Sequence, residues 1–243
     1  MEKVFVVARA DFFGGAWPQG FVGTGAGTPS LAEFGEAGFF VDRAPAEDEP
    51  AWKQLIPYCM VRRGGEVLTV QRSKGQTEQR LHDRMSIGIG GHVNPQPEAV
   101  PADGAAFFTS ALWQELEEEL SWPLARPVEP QLLGLLNDDG EAVGRVHAGL
   151  VFAVDLPVGT PDEQVPYVRE TTKMRGGFRH LADLQTLWQD PCRFESWSRI
   201  LFRACLFRTG IAKDSSAGHR AAPPVGRSIP AHPRSTERNS THG

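Results

Sequence analysis

The stretch from Ser86 to Trp122 constrains this chain more than any other, because it sets a glycine turn, SIGIGGHV, ahead of a glutamate-rich run, FFTSALWQELEEELSW. Ile87 to Val93 reads as a short strand entering a glycine turn, a place where main chain can come close to a ligand. Asp103 is placed to cap the helix that follows, and Pro123 prevents its continuation. Leu112, Leu116 and Leu120 recur every four residues as the stripe to be buried. Glu115, Glu118 and Glu119 stand at i, i+3 and i+4 and share another face, within reach of a single cation. Glutamate runs commonly do no more than wet a helix surface. Here the strand and glycine turn upstream point instead to a metal–phosphate site, and hard carboxylate oxygens suit Mg²⁺ or Mn²⁺.

These residues resemble the Nudix box, G-x5-E-x7-R-E-U-x-E-E-x-G-U, in which U is a bulky aliphatic residue. Gln114 to Trp122 overlays its second half. The wider wording, SIGIGGH, LWQELEEEL, GLLNDD, GRVHAGLVF and ESWSR, is similar to the MutT-like predicted phosphoesterase branch of that family, over roughly Trp52 to Phe207. The chain also departs from the pattern. Gln114 replaces the arginine that steadies the carboxylates, and Ser121 replaces the glycine at the helix end, so another residue is expected to tolerate the turn. Gly91 to Gln114 spans 23 positions where the pattern has 14, which places the insertion most simply within Asn94 to Gly104. The upstream glutamate of the pattern falls on Ala106, with Glu98 in the inserted loop as a weak substitute.

The resemblance implies an α/β fold, a Nudix-type α/β/α sandwich with a mixed sheet. It implies hydrolysis of a phosphoanhydride in a nucleoside diphosphate linked to another group. Glu118 and Glu119 would hold Mg²⁺ or Mn²⁺, with Glu115 a third ligand or the base that orients water; Glu115 and Glu119 are the catalytic candidates. The Gly90 or Gly91 carbonyl would complete the ligand set, and Gly91 is the one favoured. A further acid is expected from a later loop, Glu163 or Glu170, with Glu170 preferred.

Length and composition agree with a soluble globular protein. The 243 residues can bury a sizeable core, and a net charge of −5 argues against a general nucleic-acid binder. Three scattered cysteines, Cys59, Cys192 and Cys205, suggest no disulfide framework. No stretch reads as a membrane span or a signal-peptide core, so the cytoplasm is the default compartment. Residues 1–51 read as an extension packing on the core, 52–207 as the catalytic domain, and 208–243, poor in large apolar residues, as a disordered tail.

Within the extension, Lys3 to Ala8 and Phe39 to Val41 read as strands. GTGAG at Gly23 to Gly27 reads as a loop leading to a short helix capped by Ser30 rather than as a dinucleotide site, because no adequate strand precedes it. Pro45 to Pro50 reads as an acidic linker. Leu55 to Arg63 and Glu66 to Arg72 form a hairpin about Gly64-Gly65. Arg72, Lys74, Arg80, His82 and Arg84 then make a basic cluster, from which Arg72 and Lys74 are the candidate phosphate contacts.

Downstream, Gln131 to Leu136 and Arg145 to Asp155 read as strands about a turn in which Asp138 and Asp139 are turn formers. His147 reads as a hydrogen-bonded structural residue, and His92 as well placed but without an identifiable partner. Short helices are expected over Leu181 to Leu187 and Glu195 to Phe207. Two other functions stand beside hydrolysis. The departures at Gln114, Ser121 and Ala106 suit a nucleotide-binding module without efficient catalysis. The GGH turn is distantly like that of the isoprenoid diphosphate isomerases, although no cysteine lies between Met60 and Phe178. The expected partner is a small diphosphate substrate, with neither membrane nor stable nucleic-acid partner.

Overall fold

The run Trp52–Arg63 is apolar on both faces, the signature of a strand covered from both sides, and it forms the central strand of the molecule. The computed structural model describes residues 1–25, 27–72, 84–96, 100–123, 128–169 and 174–206. In chain order the first elements are β1 (Lys3–Ala8), β2 (Gly20–Gly23), α1 (Leu31–Ala37), β3 (Phe39–Asp42), α2 (Arg43–Ala46) and β4 (Trp52–Arg63). Next come β5 (Glu66–Arg72), β6 (Met85–Ser86), β7 (Ile89–Gly90), α3 (Gly104–Glu119), β8 (Leu120–Ser121) and β9 (Gln131–Asn137). The last are α4 (Ala142–Val146), β10 (His147–Leu156), β11 (Tyr167–Val168), β12 (Met174–His180), α5 (Leu181–Leu187) and α6 (Ser196–Leu201).

Ten strands of the described residues join one mixed sheet whose main path runs β12-β5-β4-β10-β9-β2. β10 lies parallel to β4, and the other pairings along that path are antiparallel. The expected hairpin is present: Arg63 pairs with Glu66, and Gly64 takes a left-handed φ of 57° at the turn. β1 adds to β4 and carries β3, while β2 closes on β9, so the N-terminal segment supplies strands to the same sheet.

Alternation along the strands sends odd residues of β4 and even residues of β10 to one face. There Leu55, Cys59, Leu150 and Phe152 pack beneath Phe107, Phe108, Leu112 and Leu116 of α3. Met60 and Val151 face the other way, onto Leu184 of α5 and Leu201 of α6. The result is the α/β/α sandwich with a mixed sheet that the sequence led us to expect. The Leu112, Leu116 and Leu120 stripe is fully buried, each side chain contributing on the order of 1.5–3 kcal/mol. Phe5 of β1 meets Phe107 edge to face at 4.9 Å.

Other expectations need correction. Pro45 and Ala46 lie in the helical turn α2 rather than in a linker, since proline in a first turn gives up no hydrogen bond. Arg145 belongs to α4, and β10 begins at His147; the helical turn aims the Gly144 and His147 carbonyls at Lys53 Nζ, 2.6 and 3.3 Å away. Past α6 the chain runs on through Phe202–Leu206 with π-helical winding. Glu98, Lys74, Arg80, His82, Glu170 and residues 208–243 lie outside the described residues.

Candidate active site

The glycine bend is held from several directions. Before it, Ser86 pairs with Val70 and Gly90 with Tyr58. The Ile87 amide donates to Ser198 Oγ at 3.0 Å. Glu195, at the start of α6, accepts from the hydroxyls of Tyr58 (2.7 Å), Ser86 (2.6 Å) and Ser198 (3.0 Å). Burial, reinforced by the Glu195 charge, pushes the Tyr58 hydroxyl well above its ordinary value and keeps it a donor. Beyond the bend, the Phe5 amide of β1 donates to the Val93 carbonyl at 2.9 Å.

α3 brings one of its acids, Glu115, to this bend. Asp103 caps the helix, accepting from the Ala106 amide at 3.3 Å. A β-carbon on Gly91 would lie 1.9 Å from the carboxyl carbon of Glu115, so the absence of a side chain at 91 is what lets that carboxylate rest against the main chain. Glu115 and Glu119 are half-buried and Glu118 is exposed. Gln114, which stands in the arginine's place, donates from Nε2 to Glu118 Oε1 at 3.0 Å. Gln114 Oε1 in turn accepts from Gln96 Nε2 at 3.2 Å, and Gln96 Oε1 accepts from Ser110 Oγ at 2.8 Å. Neutral amides therefore orient Glu118 without adding a charge.

An open cleft of about 460 Å³ runs beside this chain, lined by Gln96, Ser110, Gln114, Glu117, Glu118 and Arg169. Arg169 follows β11; its amide donates to the Glu119 carbonyl at 2.9 Å and its guanidinium to the Leu120 carbonyl at 3.4 Å. Sequence reasoning passed over Arg169, although it adjoins the preferred acid Glu170. No left-handed residue is needed where Ser121 replaces glycine. The helix ends with Leu120 extended (φ −118°, ψ 144°), and Ser121 pairs at once with Tyr167 of β11. Arg72 ends β5 opposite Met174.

Asp139 was read as a turn former; it is the counter-ion of a buried lysine. Lys53 is fully buried, with Nζ 2.7 Å from Asp139 Oδ1 and 2.7 Å from Asn137 Oδ1. Arg9 also pairs with Asp139, and Gln19 Nε2 donates to it at 2.9 Å. Burial works to raise the Asp139 carboxyl, but hydrogen bonds from Arg9, Lys53 and Gln19 hold it well below the usual carboxylate range. Burial lowers Lys53 while Asp139 raises it, and the balance is downward.

His92 does have a partner. Its Nε2 lies 3.2 Å from His147 Nε2 and 3.9 Å from Glu47 Oε1. His147 Nδ1 faces the Val143 carbonyl at 2.8 Å. Burial first, then the nearby Arg43 and His147, push His92 down to about 3, so it is neutral at physiological pH. The Cβ position of Gly91 faces Glu115 of α3, whereas His92 meets His147, which lies across from Gln54 on the strand face turned away from α3.

No family model matches the sequence. The chain is 36% identical over 165 residues to Protein YmaB of Bacillus subtilis (strain 168), which aligns with 65% of this chain and 74% of that protein. The crystal structure of Tm1382, described as a candidate Nudix hydrolase, matches 85% of this chain and 100% of its own at 28% identity and a TM-score of 0.66. This chain belongs to the Nudix hydrolase family. DR0079 from Deinococcus radiodurans, at 13% identity and a TM-score of 0.50 over 84% of this chain and 99% of its own, shares the fold. α3 is the Nudix helix, and among the described residues no helix is long and apolar enough to cross a membrane.

Proposed function

We propose that this Nudix protein cleaves a phosphoanhydride bond in a nucleoside diphosphate linked to another group, using Mg²⁺ or Mn²⁺ held by Glu115, Glu118, Glu119 and the Gly91 carbonyl. The observation that carries this reading is the Glu115 carboxylate resting against Gly91, which sets an acid of the Nudix helix beside the bend. An all-oxygen donor set fits a hard divalent ion. When bound, such an ion lowers the pKa of its water and neutralises charge on the leaving phosphate.

The chain's own residues supply the rest. Glu115, half-buried, or Glu119 serves as the base that orients the attacking water. Gln114 holds Glu118 in place. Arg169, which lines the cleft together with Glu118, is a described cation placed to take a phosphate oxygen, with Arg72 and Lys74 as further phosphate contacts and Glu170 as a further acid.

A panel of dinucleotides, nucleotide sugars, coenzyme A derivatives and nucleoside triphosphates, run with each metal, tests the reading. Release of a nucleoside monophosphate or phosphate that depends on Mg²⁺ or Mn²⁺ and is lost in Glu118→Gln and Glu119→Gln supports it. Nucleotide binding with no turnover at any metal concentration would instead identify a silent module.

A further inference from the structure

We propose that Glu47, His92 and His147 form a second metal site, of the Zn²⁺ class, on the sheet face opposite the Nudix helix. Among the described residues these three bring one ligand atom each to within 4.8 Å of one another. Tetrahedral bonds of about 2.1 Å put neighbouring donors roughly 3.4 Å apart. The two imidazoles already stand 3.2 Å apart, and Glu47 Oε1, on an exposed side chain, lies 3.9 Å from His92 Nε2. Two imidazoles and a carboxylate are a borderline-soft set that suits zinc better than magnesium.

Hydrogen bonding prepares the donors. The Val143 carbonyl can only accept, so His147 Nδ1 carries the proton and its Nε2 presents a lone pair toward His92. That is how metal-binding histidines are commonly oriented. Without a metal, the His92 Nε2–H must fill the contact; a bound cation takes its place, and that proton moves to His92 Nδ1.

Gln54 provides an independent sign. It is fully buried, lies across from His147 in the β4–β10 register, and donates from Nε2 to the Ala46 carbonyl, next to Glu47, at 3.1 Å. Its Oε1 has no hydrogen-bond partner. A buried orphan acceptor is costly, and a water on the metal would satisfy it. Arg43 is the competitor, with Nε 3.2 Å from Glu47 Oε1.

The site would tie three separate segments together: the end of the N-terminal segment, the glycine bend and the start of β10. It stands independently of the proposed hydrolysis, because its ligands leave the sheet on the other face. To test it, the full chain is stripped with chelator and titrated with Zn²⁺ and Co²⁺, without Mg²⁺ or Mn²⁺. One equivalent of Co²⁺ with intense tetrahedral visible bands is expected, and Zn²⁺ should raise Tm. His92→Ala should weaken Zn²⁺ on the order of 100-fold and Glu47→Gln about 10-fold, with circular dichroism confirming the fold, while Glu119→Gln keeps the Co²⁺ spectrum. Equal Zn²⁺ affinity in the parent, His92→Ala and Glu47→Gln, or a Co²⁺ spectrum lost in Glu119→Gln, would overturn the proposal.

Discussion

Gly91 and His92 are neighbours in sequence, yet the two sides of the bend they form are chemically unlike. On the Gly91 side the proposed donors are carboxylates from successive turns of one helix, of which Glu118 is exposed and lines an open cleft. On the His92 side they are imidazoles 55 residues apart in sequence, joined by one exposed glutamate. The main chain here turns the Gly91 side toward α3 and the His92 ring toward His147. One segment can therefore serve a hard-ion site and a softer one without the two donor sets mixing.

The largest expected effect breaks one side alone. Glu118→Gln or Glu119→Gln should lower Mg²⁺- or Mn²⁺-dependent kcat by about 10²–10⁴-fold while the far-UV spectrum and melting curve stay close to those of the parent. Turnover of a verified substrate that survives both substitutions would remove the Nudix helix from the chemistry.

The start of the strand that carries His147 rests on a buried ion pair. Lys53 takes the His147 carbonyl as well as Asp139, so Asp139→Asn leaves an uncompensated buried ammonium. A loss of about 3–5 kcal/mol is expected in urea unfolding, with slack in the His92–His147 contact. The pH dependence has a definite sign. The folded Asp139 carboxyl is held below its unfolded value, so its stabilisation is complete above about pH 4–5 and disappears as pH falls through the lower folded value. The stability gap between parent and Asp139→Asn should therefore narrow in acid; a gap constant from pH 7 to pH 3 would contradict the assignment.

Gly91→Ala sharpens the comparison at the bend itself. The new β-carbon meets the Glu115 carboxyl, the far end of a flexible side chain, so the fold can yield cheaply but Glu115 cannot keep its place. Activity should fall about 10–100-fold, the scale of about 1–3 kcal/mol in the barrier, with little change in Tm. Unaltered kcat would show that the contact between Glu115 and the bend is incidental.

The two sides also differ in how they could be read beforehand. Asp103, the leucine stripe and Glu115, Glu118 and Glu119 lie within one helix, where a period of 3.6 residues fixes which side chains share a face. The β4–β5 hairpin was legible from Gly64-Gly65 for the same local reason. His92 and His147, Lys53 and Asp139, and Glu119 and Arg169 meet across long stretches of chain through strand pairing, which leaves no local period. A lone histidine and a pair of turn aspartates then look ordinary.

The smallest expected effect concerns the departure at Ser121. Restoring the Nudix-box glycine would be a gain if the helix ended in a left-handed turn. Here Leu120 is extended and Ser121 is already paired with Tyr167, with Arg169 bound to the Glu119 carbonyl just beyond. Glycine in a strand adds backbone freedom to be lost on folding and removes side-chain packing. Ser121→Gly should therefore destabilise by about 0.5–1 kcal/mol, read as a lower urea midpoint, and loosen the β8–β11 pair that brings Arg169 to the cleft. A stabilised variant would mean that this helix end follows the family pattern after all, and that the strand pair is not what positions Arg169.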